Sequence, residues 1–395
     1  MRIAALSPFV DRRHGTERAL AEALERLVRV YGCEVHLYSH SVQDLAVVSP
    51  SRGVPPSSPA PRIIWHPVPA FPGPHLLQFL VWLLANRLCR LRDRWLRGIR
   101  FAAVFSPGIN ATDANLVLVH ALFHRLKELQ DSRSSGGLRA LHRSLYYQLL
   151  RGLENRVYRN KHVRLAAVSK HTAQQLSQYF GRQDVAIVPN GVDLSHFSPA
   201  ARIERRAQAR QSLSCAEGVP LLLLVGNDLR NKGLPTLLQA LSQCRHLPWH
   251  LCVVGSDSSA LYSAEIEQRH LQGRITFAGD SADILAYYAA ADIYVAPSLE
   301  DSFNLPALEA MACGLPIILS SSAGMSDYLA DGVDGLVLRN PQDANELVAA
   351  LQRLLADPSL RATIGANASQ TASRFSWDRH ADEIHRLLLA SITQH

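Results

Sequence analysis

Residues 291–337 read ADIYVAPSLEDSFNLPALEAMACGLPIILSSSAGMSDYLADGVDGLV. A short apolar run ends at Ala296-Pro297-Ser298, as a buried strand of a parallel sheet ends. A polar turn follows, and a helical pattern begins around Leu305 to Ala307. A second apolar run, LPIILSS, follows that helix. Strand, turn, helix, strand is the unit from which α/β proteins are wound.

The same unit recurs outward in both directions. Upstream in the second half come PLLLLVG, a helix in PTLLQALSQC, then HLCVVG and RITFAG. The first half offers RIAALS, EVHLYSH, RIIWHPV, AAVFSP, NLVLVH, RLAAVS and VAIVPN as strands, with ERALAEALERLVRVYG as a helix ending near Gly32. This predicts a doubly wound α/β chain of two similar domains, residues 1–199 and 200–375. The join is expected near Phe197 to Gln211, where a Pro and a run of charge follow the last strand. Ser49 to Arg62 is Pro/Ser-rich and reads as a surface loop, and Asp131 to Gly137 reads as a hinge or lid.

Composition bounds the function classes. Of 395 residues, 47% are hydrophobic and 19% charged, which excludes a disordered chain, and 22 Gly and 21 Pro without a period exclude a collagen-like one. The net charge of +7 points to an anionic partner such as phosphate, nucleic acid or a membrane surface. Six scattered cysteines without a C-x-x-C pair read as buried thiols in a reducing compartment. MRIAALSPFV reads as a first strand, and the apolar stretch Leu76 to Ala85 is about half the ~20 residues that span a bilayer. A cytoplasmic chain without a transmembrane helix is expected.

The turn after Pro297 carries the chemistry. Amide groups at a helix start favour an anion, and carboxylates hold pairs of sugar hydroxyls through charge-assisted hydrogen bonds. Asp301 lies in the turn and Glu309 eight positions on. A capped helix with solvent-facing acids is the alternative.

PSLEDSFNLPALEAMACGLPII (Pro297 to Ile318) resembles the donor-site signature of the retaining glycosyltransferases of family 4. These have the GT-B fold, two Rossmann-like domains facing each other across a cleft. In that family two glutamates eight positions apart flank a Phe-Gly pair. The resemblance implies that Glu309 binds the nucleoside ribose and that Asp301, one methylene shorter than glutamate, stands at the donor-sugar position, with Glu300 as a stand-in. Phe303, Asn304 and Leu305 complete the donor loop, Asn304 replacing the family's Gly.

Other stretches resemble the same family. HGTERALAEAL (His14 to Leu24) is similar to its Gly-Gly-x-Glu loop, of which Gly15 remains; a residue without Cβ lets backbone approach a diphosphate. LLLLVGNDLRNKGLPTLLQAL (Leu221 to Leu241) resembles the cationic loop that follows the donor domain's first strand. There Lys232 matches the family lysine, Asn227 replaces an arginine after Gly226, and Arg230 offers a second cation. This short loop is closest in pattern to lipopolysaccharide-core glucosyltransferases. RITFAGDSADILAYYAAADIYVAPS resembles the segment framing the base, with Phe277 to Gly279 expected to contact it. VPNGVDLSHF looks like the passage between domains, and FSWDRHADEIHRLL like a closing helix that returns residues 376–395 to the first domain. His120, at the end of NLVLVH, stands where the family has a histidine contacting the transferred sugar or acceptor; His124 is the weaker candidate.

The resemblance therefore implies a hexosyltransferase that retains anomeric configuration. The nucleotide sugar, with UDP-glucose as the choice, is a substrate, so no cofactor is expected. No Asp-x-Asp triplet occurs, and metal-independent transfer is expected. Lys232, Arg230 and backbone amides around Gly15 and Asn304 would stabilise the leaving diphosphate. The acceptor would be a saccharide or lipid-linked saccharide of the cell envelope. A sugar-nucleotide epimerase is one rival. A catalytically silent GT-B scaffold is another, motivated by the departures at Asp301, Asn304 and Asn227.

HLLQFLVWLLANRLCRLRDRWLRGIRF (His75 to Phe101) places Leu84, Leu88, Leu91, Trp95 and Ile99 on one helical face, with Arg87, Arg90, Arg92, Arg94, Arg97 and Arg100 around it. Such a helix suits an anionic membrane surface, with Trp82 and Trp95 adding interfacial character. The alternative buries the leucines and leaves the arginines in water. A second basic, aromatic helix is expected at Leu138 to His162. No motif supports nucleic-acid binding. The expected location is peripheral, on the cytoplasmic face of the inner membrane.

Overall fold

A computed structural model describes residues 1–12, 14–48, 62–131 and 138–392. The Pro/Ser-rich stretch and the Ser/Gly-rich stretch therefore lie, almost entirely, outside the described residues. The chain forms two compact units, residues 1–191 with 377–395, and residues 192–376.

The first unit opens with β1 (Arg2–Leu6), β2 (Phe9–Val10), α1 (Gly15–Arg29), β3 (Glu34–Ser39), β4 (Ser41–Val42) and β5 (Ile63–Pro67). It continues through α2 (His75–Arg97), β6 (Ala103–Pro107), β7 (Leu116–Val119), α3 (Phe123–Asp131), α4 (Leu138–Tyr158), β8 (Arg164–Ala167), α5 (Lys170–Phe180) and β9 (Ala186–Ile187). Seven strands pair in the order β5-β3-β1-β6-β7-β8-β9, all parallel; β2 and β4 make a separate short pair. Near-continuous apolar strands fit a sheet covered on both faces, and Ile3 to Leu6 and Leu116 to Val119 are buried throughout. The strand order reverses between β1 and β6.

The second unit runs α6 (Pro199–Ser212), β10 (Leu221–Val225), α7 (Leu234–Gln243), β11 (His250–Val254), α8 (Ser263–Gln268), β12 (Ile275–Gly279), α9 (Ile284–Ala290), β13 (Ile293–Ala296) and α10 (Leu305–Ala312). Then come β14 (Ile317–Ser320), β15 (Leu336–Leu338), α11 (Ala344–Ala356) and α12 (Pro358–Ala372). Its sheet is parallel, in the order β12-β11-β10-β13-β14-β15. The charged stretch expected at the join is helical. Ser198 caps α6 through the Ala201 amide (3.2 Å), and Arg206 and Arg210 both pair with Asp292 (2.6 and 3.1 Å).

The last helix, α13 (Trp377–Ile392), belongs to the first unit, packed along α1. Arg26 pairs with Asp378 at 2.5 Å, and the Tyr31 ring stacks on His385 with centroids 4.0 Å apart.

Helix α2 reverses the usual arrangement. Trp82, Asn86, Cys89, Arg90 and Asp93 are its buried residues. Leu77, Leu80, Leu84, Leu88, Leu91 and Trp95 are exposed, Trp95 by 82%. The reading that put the leucines in the core is thereby overturned. Three parts of the interfacial reading are corrected as well. Trp82 is buried, with its indole N–H donating to Asn110 O (3.1 Å). Arg90 is buried in a two-pronged pair with Asp113 (2.8 and 3.0 Å). Ile99 lies beyond the helix end.

Candidate active site

Ligands of open parallel sheets bind beyond the carboxyl ends of strands where the order reverses. In the second unit that point lies between β10 and β13. The loops leaving these strands, residues 226–233 and 297–304, carry the donor candidates.

The two loops pack backbone against backbone. A Cβ on Gly233 (φ 82°) would stand 2.0 Å from Pro297 O, so no larger residue fits. The Leu299 amide donates to Asn231 O (2.7 Å), and the Asn231 side chain donates to Glu300 O (2.8 Å). Gly226 (φ 144°) lets the Lys232 stem lie across it, since a Cβ there would be 2.6 Å from Lys232 Cε. Lys232 Nζ then reaches Asp301 Oδ2 at 2.5 Å, both side chains largely shielded from water.

Asp301 also folds back on its own loop. Its Oδ1 accepts from the Asn304 amide (2.8 Å) and the Phe303 amide (3.3 Å). Asn304 takes the left-handed region (φ 70°, ψ 69°), the conformation for which glycine is the ordinary choice, and asparagine is among the few other residues that visit it. Its Oδ1 caps α10 through the Ala307 amide (3.1 Å) and accepts from Tyr294 OH (3.1 Å). Pro306 has no amide hydrogen. The Phe303, Asn304 and Ala307 amides are thus engaged by the chain's own side chains.

Glu309 is buried on α10, and its Oε2 accepts from Tyr288 OH at 2.8 Å. Burial and the Glu309 charge push the Tyr288 hydroxyl well above its usual range; burial and Asp301 do the same to Tyr294. Both phenols therefore remain donors. The tyrosines escaped the sequence reading because their partners stand 21 and 10 residues away.

The other candidates divide. Arg230 is exposed on the Lys232 loop. Asn227 holds the β11 loop, its Oδ1 accepting from the Ser256 amide (2.8 Å) and hydroxyl (2.9 Å). Phe277 is half-buried, its ring nearly parallel to that of Tyr262 with centroids 6.3 Å apart. Gly279 ends β12 in the left-handed region and accepts from the Gly255 amide (2.9 Å). Phe303 and Leu305 are buried.

In the first unit, Gly15 begins α1, and a Cβ there would meet nothing within 4 Å. Internal packing therefore does not demand a glycine. His120 follows β7 and is buried, and among the described residues neither ring nitrogen has a hydrogen-bond partner. Loss of water, with His380 adding a smaller like-charge effect, pushes it down to about 3, so the imidazole is neutral at ordinary pH. His380 Nδ1–H donates to Pro189 O (2.8 Å), and burial pushes that ring down to about 4. His124 is committed elsewhere: its Nδ1 stands 2.6 Å from Glu154, which also accepts from the Phe123 and His124 amides (2.7 and 3.0 Å) and so caps α3.

Known proteins bear out the fold and the kinship. The chain is 33% identical over 240 residues to D-inositol 3-phosphate glycosyltransferase from Nocardiopsis dassonvillei, an alignment covering 56% of this chain and 54% of that one. The chain thus spans about half the length of the curated relatives it matches. Among solved structures, WaaG, a glycosyltransferase involved in lipopolysaccharide biosynthesis, superposes with a TM-score of 0.76 at 20% identity, over 97% of this chain and 98% of that one. Anabaena HepE in complex with UDP-glucose gives a TM-score of 0.69 at 19% identity, over 99% and 100%. At such identities these two likenesses speak to the fold, which is GT-B. The model for Glycosyltransferase Family 4 matches residues 13–196 and that for Glycosyl transferases group 1 matches residues 205–371, and the chain belongs to the family 4 glycosyltransferases.

Proposed function

We propose that the chain is a retaining hexosyltransferase that moves a sugar from a nucleotide diphosphate, UDP-glucose in the first instance, to a saccharide or lipid-linked acceptor of the cell envelope. The observation that carries this reading is the Lys232–Asp301 pair at 2.5 Å, set at the reversal point of the second sheet with Glu309 on the same turn and helix. Lys232 exchanges its carboxylate for the donor diphosphate and stabilises it as it leaves. Asp301, released from the lysine, accepts from a hydroxyl of the transferred sugar, and Glu309 accepts from the ribose hydroxyls. The bond from the sugar's anomeric carbon to the diphosphate breaks as the acceptor oxygen bonds to that carbon on the same face. The acceptor's proton passes to a donor phosphate oxygen. Fixed charge suffices for this chemistry, so the proposal invokes no metal and no cofactor beside the two substrates, nucleotide sugar and acceptor.

His120, neutral and with both ring nitrogens unengaged, is assigned to hydrogen-bond a sugar hydroxyl at the carboxyl edge of the first sheet. HepE, solved with UDP-glucose, supports the donor choice, and WaaG, involved in lipopolysaccharide biosynthesis, supports the envelope role. A peripheral position at the cytoplasmic face of the inner membrane is part of the same proposal; no helix among the described residues is long and apolar enough to cross a membrane.

The test is product analysis. UDP-glucose and an acceptor panel of envelope saccharides and lipid-linked sugars, incubated in EDTA, should yield a product whose new linkage is α. Lys232→Ala should lower turnover about 100-fold or more, the scale of removing one transition-state donor. A β-linked product, or unchanged turnover in Lys232→Ala, would overturn the assignment.

A further inference from the structure

The outward leucines of α2 are a built feature of its rotational setting. At 3.6 residues per turn, Leu77, Leu80, Leu84, Leu88, Leu91 and Trp95 share one line along the helix. Trp82, Asn86, Arg90 and Asp93 share the opposite one, and directional bonds fix them to the first unit. Asn86 Oδ1 accepts from Arg90 (3.1 Å), and Arg90 pairs with Asp113. Asp93 accepts from Tyr38 OH (3.0 Å) and stands 2.7 Å from His66 Nδ1. Turning the leucines inward would leave these buried polar groups without partners.

Charge is distributed unevenly along the helix. Residues 63–86 contain no Lys, Arg, Asp or Glu, whereas residues 87–100 contain six arginines. Arg87, Arg92 and Arg94 are exposed and flank the apolar line on its two sides, and Arg97 and Arg100 are exposed at its end. The helix follows β5, so its uncharged start adjoins the carboxyl edge of the first sheet, and Phe71, just ahead of it, is 43% exposed. That edge is where parallel sheets bind ligands.

We propose that α2 is a docking face for an anionic lipid bilayer, seated with its uncharged N-terminal turns deeper than its arginine-rich C-terminal turns. Anionic headgroups answer the arginine flanks, and acyl chains cover the leucine line. The tilt sets the carboxyl edge of the first sheet nearest the lipid, which selects acceptors whose sugar sits on a membrane anchor. This rests on the proposed transferase reading for the acceptor, while the lipid binding itself does not.

The experiment uses the full chain and vesicles of phosphatidylcholine with or without 30% phosphatidylglycerol. Flotation should show at least tenfold stronger binding to the anionic vesicles, and Leu84→Glu/Leu88→Glu should abolish it with folding, by circular dichroism, and UDP binding unchanged. Lipids brominated at shallow or deep acyl positions then read the tilt. Trp95 should be quenched more by shallow bromines, and a tryptophan at position 80 in Leu80→Trp/Trp95→Phe more by deep ones. Equal binding to neutral vesicles, equal or reversed depths, or a wild-type dimer in lipid-free solution that Leu84→Glu/Leu88→Glu dissociates would each overturn the proposal. UDP binding that persists beside such a failure leaves the donor reading intact, and loss of UDP binding with flotation intact separates the two in the other direction.

Discussion

Asn304 concentrates the local cost of the loop between β13 and α10 in one side chain. It adopts the left-handed backbone, caps α10 and accepts from Tyr294, and its Nδ2 is buried without a partner among the described residues. Asn304→Ala keeps the backbone penalty of about 1–2 kcal/mol in full and loses a cap worth about 1 kcal/mol. Asn304→Gly relieves the first as it loses the second. Urea unfolding should therefore show Asn304→Ala destabilised by about 2 kcal/mol and Asn304→Gly within about 1 kcal/mol of wild type. Equal losses in the two variants would show that the left-handed backbone is not what asparagine accommodates here. The departures of this chain from its family pattern were plain in the sequence at Asn227, Asp301 and Asn304, but what replaces the lost contacts was not. Asn227 spends its carbonyl on Ser256, 29 residues away, and Asp301 spends one oxygen on its own loop. Such pairings depend on which loops the sheet order brings together, and no local spacing encodes them.

At the scale of elements, alternation of apolar runs located the long strands of both sheets, because a strand buried on both faces has to be apolar along its length. The two-residue pair β2–β4 and the three-residue β15 escaped, being too short to carry a period. Periodicity also located α2 and its apolar line, yet it could not say which side faces inward. A hydrophobic line predicts burial by default, and here Asn86, Arg90 and Asp93 claim the inside through partners on β3, β5 and the loop after β6. The two sides should respond oppositely to mutation. Leu88→Glu, at an exposed position, should change stability by no more than about 0.5 kcal/mol. Asp93→Ala, which strips the buried partner of His66 and Tyr38, should cost about 3 kcal/mol or more. Thermal unfolding of the two variants checks this; a large loss from Leu88→Glu would mean that the leucine line is covered within the folded chain.

Two buried histidines make the first unit's stability sensitive to acid. His120 and His380 are held neutral by burial, at about 3 and about 4, against an ordinary value near 6.5. Their folded values are depressed, so below about pH 6.5 the unfolded chain binds protons that the folded chain refuses. Their contribution to stability therefore falls as pH drops from about 6.5 towards 4, by up to about 1.4 kcal/mol per pH unit for each group. The buried Glu154 carboxyl, pushed up to about 7 by loss of water, works the other way over part of that range. Urea midpoints at pH 7 and pH 5 should show this fall, and His120→Asn should make it shallower; an identical slope would remove His120 from the account.

The second unit is proposed to hold a nucleotide diphosphate sugar on Lys232, Asp301 and Glu309. Calorimetric titration of the purified chain with UDP, GDP, ADP and their common sugar conjugates, in EDTA, tests it most directly. One nucleotide series, UDP first, should bind selectively, with binding weakened at least tenfold in Glu309→Ala. Binding unchanged in Glu309→Ala, or no nucleotide bound by a folded protein, would contradict it.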